Sequence, residues 1–299
     1  MTHFKTLFIA TRPWSFPVSS FSVLITASYL FWRGWQIDWL MALWATVGII
    51  LFHAAGNLLS DWYDFRKGID AEDTYGSKTL TSGVMTPKQV LIFAVVMLIV
   101  ACINGLMLAY TAGWWLLLFG GLGAVFTIAY PWMKTHALGD LCILLEYGFI
   151  PALGTAYTVM HGDASTALFT DALWIVPAFA TITMAVLHTN NTRDVRTDGR
   201  AGIRTFAMLV GREISVALYV LEVSLPYIWV IAAVCNGRMP WLALLVLVAL
   251  PHVVKNWKTA VLYEKDDNAM NNLDEKTAQH QLMNGVLLCV AFVVAFFIP

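Results

Sequence analysis

Long apolar segments dominate this sequence and decide what the chain can fold into. A helix needs roughly 20 mostly apolar residues to cross a bilayer, and nine apolar segments long enough for this alternate with polar connections. They comprise residues 14–32, 37–59, 89–110, 113–131, 138–160, 171–191, 213–234, 240–262 and 280–298. We therefore predict an all-α membrane protein with nine transmembrane helices, surrounded by the lipid bilayer.

The scarcity of charge excludes several other classes of protein. Charged residues make up 12% and hydrophobic residues 59% of the 299 residues, whereas an average globular chain has roughly 25% charged residues. This balance excludes a disordered chain, an ordinary cytosolic enzyme and a basic module that binds nucleic acid. We expect no nucleic-acid partner, and the sequence leaves the oligomeric state open.

The Lys and Arg residues predict how the spans are oriented. If the nine spans alternate in direction, all 18 Lys and Arg residues except Arg33 and Arg238 fall on the side that holds the N-terminus. Positive residues near the ends of spans are retained in the cytoplasm. We therefore expect the N-terminus in the cytoplasm and the C-terminus on the opposite side.

Two acidic motifs occur at the predicted cytoplasmic ends of the second and sixth spans. The first contains Asn57, Asp61 and Asp64, and the second contains Asn190, Asp194 and Asp198. Residues three or four apart share one face of a helix, so each motif places two carboxylates and an amide together. Either motif alone is also typical of a solvated helix end with surface ion pairs.

Carboxylates packed in this way need a compensating cation. They repel each other, and they lose part of their hydration at the membrane boundary. Hard oxygen ligands suit Mg²⁺, which usually takes one or two carboxylates, keeps waters and contacts phosphate oxygens. We predict that Mg²⁺ is the cofactor, and that it is held by Asn57, Asp61, Asp64, Asp194 and Asp198.

The spacing of the two motifs predicts an internal repeat within a single domain of residues 1–299. The separation from Asn57 to Asn190 equals that from Asp61 to Asp194. We expect two parallel four-helix halves around a central cavity, at about 1–137 and 138–262, and a ninth helix at 280–298. Transporters are also built from repeats, but their sites lie near the midplane of the membrane, whereas these acids crowd one end.

Basic side chains accompany the acidic motifs. Arg and Lys are the residues that bind phosphate oxygens, and acids interleaved with bases are typical of a metal–diphosphate site. Some of these cations are also explained as charges that hold the loops in the cytoplasm. The predicted diphosphate ligands are Arg66, Lys78, Lys134, Arg193 and Arg204.

At these residues the chain resembles the UbiA superfamily of membrane prenyltransferases over nearly its whole length. The motifs that carry the resemblance are Arg12-Pro13-Trp-Ser, Ser60-Asp61-Trp-Tyr-Asp64 with Gly68 and Asp70, Lys78-Thr-Leu-Thr-Ser82-Gly83, Tyr130-Pro131-Trp-Met-Lys134 and Asp194-x-x-x-Asp198. The resemblance implies Mg²⁺-dependent transfer of a polyprenyl group from an isoprenyl diphosphate to an aromatic acceptor. It also implies that Asp61, Asp64, Asp194 and Asp198 are catalytic.

The resemblance extends to the acceptor. Asn190-Asn191-x-Arg193-Asp194 is most similar to the prenyltransferases that act on 1,4-dihydroxy-2-naphthoate in menaquinone biosynthesis. Alternative acceptors are 4-hydroxybenzoate, homogentisate, haem, chlorophyllide or a glycerophosphate lipid. The family pattern implies a bacterial-type inner membrane with the active site on the cytoplasmic side.

Several residues depart from the family pattern or border the expected cavity. Ser60 replaces the Asn of the first motif, so either Ser60 or Asn57 supplies that ligand. Glu146 lies within the fifth span, where the family has an apolar residue, and an ionisable residue inside a membrane is a functional candidate. The predicted substrate-cavity residues are Asn190, Asn191, Tyr130, Tyr63 and Glu146.

Overall fold

The regular structure of the chain is helical. The computed structural model describes residues 3–70, 78–263, 266 and 268–298, and every regular element in these ranges is a helix. Eight of the helices are long and apolar enough to cross a membrane, and a bent helix pair makes a ninth span. The all-α, multi-pass fold predicted from the sequence is confirmed.

We number the membrane spans α1 to α9. Their bounds are Pro13–Trp32, Trp39–Lys67, Pro87–Ala112, Leu116–Lys134, Gly139–Val159, Thr166–Ala178 with Ala180–Arg193, Arg212–Cys235, Trp241–Leu262 and Leu273–Phe297. Shorter helices flank them at His3–Ala10, Lys78–Thr81, Val195–Arg200 and Phe206–Val210.

Helix α2 continues well beyond the membrane boundary that hydropathy predicts. The side chain of Asp38 caps its first turn by accepting hydrogen bonds from the amides of Leu40 and Met41. The predicted apolar span stops at residue 59, but the helix continues to Lys67 and is followed by Gly68, which adopts a left-handed φ of 69°. Glycine takes this conformation without the steric penalty of a Cβ. The whole first acidic motif therefore lies on one uninterrupted helix.

Helix α6 is broken, although the sequence predicts one continuous span over 171–191. Its two parts meet at a bend of 42°, with a 3₁₀ turn at Val176–Ala178. Pro177 lies in this turn and has no amide hydrogen to continue the helix. The side chain of Asn284 donates a hydrogen bond to the carbonyl of Ala178 at 3.0 Å, and this bond satisfies a carbonyl at the break.

Helix α5 contains a widened turn. Leu145–Phe149 form a π-helical segment, in which the amide of Ile150 donates to the carbonyl of Leu145. Pro151 follows, and its ring removes the amide hydrogen that would bond one turn back. Single π-helical turns are frequent at functional sites.

The last span begins earlier than hydropathy predicts. The sequence predicts its start at residue 280, but α9 begins at Leu273. Polar residues occupy its first turns, among them Asp274 and Glu275. These residues bring α9 to the same end of the bundle as the acidic motifs.

Each span packs against its neighbours in sequence, and α9 also packs against α1 and α6. Helix α3 exposes many of its apolar side chains, including Ile99 and Ile103. Exposed apolar surface of this extent fits contact with lipid. The predicted repeat of two four-helix halves stays a prediction.

Candidate active site

The first acidic motif is buried at the end of α2, and each of its aspartates has a cationic partner. Asp61 is 2% exposed and Asp64 is 5% exposed. The guanidinium of Arg12 donates a hydrogen bond to Oδ1 of Asp61, and Nζ of Lys134 lies 3.2 Å from Oδ2 of Asp64. Burying a carboxylate is expensive unless it is paired, so these two contacts make the motif stable.

Arg12 was missed as a site residue by the sequence analysis. It lies just before α1 in a left-handed conformation with φ of 55°, which turns the chain towards α2. Asn57 fixes this turn, because its amide nitrogen donates to the carbonyl of Thr11 at 3.0 Å and to Oγ of Ser15 at 3.1 Å. The Arg-Pro-Trp sequence identified the start of α1, but nothing in the sequence alone indicates a contact with Asp61.

The second motif is built differently, because α6 ends within it. The guanidinium of Arg193 donates two hydrogen bonds of 2.8 Å to the carboxylate of Asp194. The same guanidinium lies 3.0 Å from Oδ2 of Asp274 on α9. Asp198 is buried on the separate helix Val195–Arg200.

Asp198 and Asp70 have raised pKa values. Burial is the largest cause at Asp198, where the carboxylates of Asp194 and Asp64 add to it and the charges of Lys134 and Arg193 oppose it, and the pKa rises to about 7. Burial and the carboxylate of Asp64 raise the pKa of Asp70 to about 6. Each of these two carboxyl groups therefore keeps its proton to a higher pH than an exposed aspartate does.

Lys134 joins the two motifs. It bonds Asp64 directly, and its charge also interacts with that of Asp198. The segment after α6 is held against the end of α4, because the amide of Arg204 donates to the carbonyl of Thr135 at 3.1 Å. The structure therefore brings the two motifs to one end of the bundle.

The remaining predicted diphosphate ligands lie at the rim of this cluster. Arg66 is exposed, and its guanidinium stacks over the ring of Trp62 at 5.2 Å. Lys78 and Arg204 are also exposed. These three side chains are therefore accessible at the surface of the protein.

A polar cavity of about 230 Å³ reaches the acidic motifs through Asn57 and Asn190, and none of the four motif aspartates is among the described residues that line it. Four of the predicted site residues contribute to its lining, namely Asn57, Tyr130, Glu146 and Asn190. Two predicted cavity residues lie elsewhere in the described ranges. Asn191 is buried with its amide 3.4 Å from Asp140, and Tyr63 lies under the ammonium group of Lys67.

An apolar cavity of about 340 Å³ lies deeper in the bundle. Its wall includes several residues without large side chains, among them Gly48, Gly120 and Gly121. It shares four lining residues with the polar cavity, which we call the collar: His53, Thr127, Glu146 and Tyr147. The two cavities therefore meet at the collar.

The donor set of the polar site fits Mg²⁺. Oδ1 of Asp64 and Oδ1 of Asn190 are buried oxygen atoms with no hydrogen-bond partner among the described residues. Within those same ranges, no three acidic, His or Cys groups already converge on one point. Mg²⁺ does not require such a cage, because it usually takes one or two carboxylates and completes its shell with water and phosphate oxygens.

Comparison with known proteins identifies the family. The sequence profile of the UbiA prenyltransferase family matches residues 21–273. The chain belongs to the UbiA prenyltransferase family. A curated member, the UbiA prenyltransferase domain-containing protein 1 of Xenopus tropicalis, is 33% identical over 299 residues, which cover 97% of this chain and 82% of the relative. The prediction of a membrane-embedded prenyltransferase is confirmed.

Solved structures of UbiA homologues share the fold. A homologue from Aeropyrum pernix K1 has a TM-score of 0.65 at 12% identity, and 99% of each chain is covered. A homologue from Archaeoglobus fulgidus, solved bound to GPP and Mg²⁺, has a TM-score of 0.57 at 10% identity over 95% of this chain and 99% of its own. At these identities the likeness establishes the UbiA fold alone.

Proposed function

We propose that this UbiA-family protein transfers a prenyl group from an isoprenyl diphosphate to an aromatic acceptor in a Mg²⁺-dependent reaction. One observation carries the proposal. Two acidic motifs, three of whose four aspartates are buried, lie with their cations at one end of the bundle, beside a polar cavity that is lined by Arg12, Asn57 and Asn190 and that meets an apolar one. A substrate with an anionic head and a long apolar tail, such as an isoprenyl diphosphate, matches this pair of cavities: the head suits the cationic end and the tail suits the apolar cavity.

The metal would be held by Asp61, Asp64, Asp194 and Asp198, with Asn57 or Ser60 as a further ligand. When bound, Mg²⁺ acts as a Lewis acid that stabilises the negative charge of the leaving diphosphate. The structure of a homologue of the same fold bound to GPP and Mg²⁺ supports this assignment.

The cations of this chain would bind and orient the diphosphate. Lys134 and Arg193 lie among the carboxylates, where their charges stabilise the departing anion through charge-assisted hydrogen bonds. Arg66, Lys78 and Arg204 at the rim would contact phosphate oxygens as the substrate arrives. The positive charge that develops on the prenyl group would be shielded from water by the collar.

The apolar cavity would hold the prenyl chain. Burial of apolar surface is favourable by roughly 25 cal/mol per Å², so the chain supplies binding energy away from the reacting carbon. The aromatic acceptor would occupy the polar cavity, beside Tyr130 and Asn190.

For the acceptor we propose 1,4-dihydroxy-2-naphthoate, and with it a role in menaquinone biosynthesis, from the Asn190-Asn191-x-Arg193-Asp194 sequence. We further propose that the site faces the cytoplasm, since most Lys and Arg residues lie at this end. A bacterial-type inner membrane stays a prediction from the sequence, and the curated relatives include animal proteins.

A panel of acceptors tests the substrate assignment. Purified protein in detergent is supplied with geranyl diphosphate, Mg²⁺ and, separately, dihydroxynaphthoate, 4-hydroxybenzoate, homogentisate or a glycerophosphate lipid, and the products are identified by mass. We expect the prenylated naphthalene ring with loss of CO₂. Product from hydroxybenzoate but not from dihydroxynaphthoate would overturn the acceptor assignment and leave prenyl transfer intact.

A further inference from the structure

Glu146 lies on the widened turn of α5, and its position is fixed by packing. The π-helical segment Leu145–Phe149 carries it. Gly148 in the same segment packs so closely against α6 that an added Cβ would come within 2.9 Å of the side chain of Ala180. The turn therefore cannot rotate freely, and it holds Glu146 at the cavity wall.

The carboxylate of Glu146 is buried with weak compensation. The residue is 8% exposed. Oγ1 of Thr127 donates a hydrogen bond to Oε1 at 2.8 Å, and the Cys142 thiol lies 3.9 Å from Oε2. No Lys, Arg or His in the described part of the chain forms a salt bridge with it. A carboxylate has about four acceptor positions, so Glu146 keeps unused capacity for a ligand.

Glu146 belongs to the collar where the polar and apolar cavities meet. In a prenyl diphosphate, the bond that breaks joins the anionic head to the apolar chain. If each part occupies the cavity that suits it, this bond lies at the collar. The acceptor ring must attack the same carbon, so Glu146 lies beside both reaction partners.

Two of the other collar side chains, His53 and Thr127, already form hydrogen bonds. Nδ1 of His53 lies 2.9 Å from Oγ of Ser19, and Nε2 lies 3.2 Å from Oγ of Ser15. The ring of Tyr147 packs on His53 at 5.0 Å. Thr127 donates to Glu146 itself. Of these four side chains, Glu146 is the only carboxylate.

We propose that Glu146 binds a hydroxyl group of the aromatic acceptor and takes its proton as the ring attacks the prenyl carbon. This inference rests on the prenyl transfer proposed above. As the new carbon–carbon bond forms, the carbon–oxygen bond to the diphosphate breaks and its electron pair leaves with the diphosphate.

The protons and electrons balance over the whole reaction. The hydroxyl proton passes to Glu146, and the ring becomes a ketone at that oxygen. Loss of CO₂ from a ring carboxylate then returns an electron pair to the ring, and the oxygen takes its proton back from Glu146. Where the attacked carbon carries a hydrogen instead of a carboxylate, as in 4-hydroxybenzoate, that ring proton leaves to water, its bonding electron pair stays in the ring, and the oxygen again takes its proton back from Glu146. The acceptor class is therefore a hydroxylated aromatic ring.

The test pairs the removal of the carboxylate with the removal of the acceptor hydroxyl. Wild type and Glu146→Gln are assayed with geranyl diphosphate, Mg²⁺ and either 1,4-dihydroxy-2-naphthoate or 4-hydroxybenzoate, and each acceptor is compared with its methyl ether. General acid–base catalysis contributes roughly 10²- to 10⁴-fold, so we expect at least a ~100-fold lower kcat for Glu146→Gln on the hydroxylated rings. On the methyl ethers, wild type and variant should react at the same low rate.

Glu222→Gln is the matched control, because Glu222 is also a buried glutamate within a span, but it belongs to α7 and lies against His188 of α6. It should keep the wild-type preference for hydroxylated rings. Glu146→Asp, which keeps a carboxylate, should retain more activity than Glu146→Gln. Equal losses for Glu146→Gln on both members of an acceptor pair, or no loss on either, would overturn the role assigned to Glu146.

The proposed function has its own readout in the same experiment. Mg²⁺-dependent binding of geranyl diphosphate should be unchanged in Glu146→Gln, and this also verifies that the variant is folded. Loss of this binding in the variant would contradict the inference, because it would indicate a structural role. If the wild type neither binds nor cleaves geranyl diphosphate in the presence of Mg²⁺, the proposed function is wrong, and the inference about Glu146 fails with it.

Discussion

The two acidic motifs have similar sequences but are supported in different ways. The first lies on the continuous helix α2, and its aspartates are held by cations from distant parts of the chain, Arg12 and Lys134. The second straddles the end of α6, and Asp194 is held by the adjacent Arg193. The comparison indicates that the first motif is preorganised, because its partners are fixed by the packing of other helices. In the second motif, Asp194 and its partner Arg193 are adjacent in the chain, so Asp194 can turn towards a ligand without moving a neighbouring helix.

The largest effect is expected from neutralising the first motif. Asp61→Asn or Asp64→Asn removes a metal ligand and leaves Arg12 or Lys134 without its partner. A metal contributes several kcal/mol of charge stabilisation, which corresponds to about a 1000-fold loss in kcat. The loss is measured as the rate of prenyl transfer by membranes that contain equal amounts of wild type and each variant. Asp38→Asn, at the exposed N-terminal cap of α2, is the control and should retain activity. Substantial activity in both Asp61→Asn and Asp64→Asn would contradict the assignment of the first motif as the metal site.

A smaller loss is expected from the cation that joins the motifs. Lys134→Met should raise the KM for geranyl diphosphate more than Arg193→Met does, because Lys134 interacts with both motifs. A hydrogen bond to a charged group contributes about 1.5–3 kcal/mol, or about 10- to 100-fold in affinity. Steady-state kinetics of the two variants measures the difference. A larger increase in KM for Arg193→Met than for Lys134→Met would contradict the role of Lys134 as the cation that joins the two motifs.

The Mg²⁺ requirement should depend on pH through the second motif. Below pH 7 Asp198 holds a proton in the metal-free protein, because its pKa is raised to about 7, and Mg²⁺ must displace that proton. The Mg²⁺ concentration for half-maximal rate should therefore rise by up to about tenfold per pH unit as the pH falls below 7. Titrations at pH 6 and pH 8 measure it, corrected for Mg²⁺ bound by geranyl diphosphate alone. Equal requirements at both values would refute the role of Asp198.

The smallest effect is expected at the contact between α6 and α9. Asp274→Asn removes the charge of one carboxylate partner of Arg193. Arg193 keeps its two hydrogen bonds to Asp194, so activity should change by no more than about fivefold, which corresponds to about 1 kcal/mol. The same kinetic assay measures this change. A loss as large as that of Asp64→Asn would mean that Asp274 itself binds the metal or substrate.

The sequence predicts the number and approximate positions of the spans well, because these depend on hydropathy alone. It predicts the helix ends near the candidate site less well. It placed the end of α2 at residue 59, because polar residues lower the hydropathy while the chain stays helical up to Gly68. It missed the break in α6, because Pro177 interrupts the helix without changing its apolar character. Helical spacing did predict that Asp61 and Asp64 share a face.

The partners of the motifs lie beyond the reach of the sequence. Arg12 contacts Asp61 from a segment 49 positions earlier in the chain, and this contact depends on the packing of α1 on α2. The same limit applies to the collar, since four side chains from three helices form it only after folding. The departure of Glu146 from its family's pattern was visible in the sequence, but its position between two cavities was not.

The central claim is that both motifs act on one diphosphate. It is tested most directly by the Mg²⁺-dependent binding of geranyl thiolodiphosphate, an analogue that resists cleavage, to wild type, Asp64→Asn, Asp198→Asn and the double variant. Residues that act on a shared ligand give non-additive losses. We predict that each single variant loses most of the affinity and that the double variant loses little more. Wild-type affinity in Asp198→Asn, or losses that multiply in the double variant, would contradict the claim.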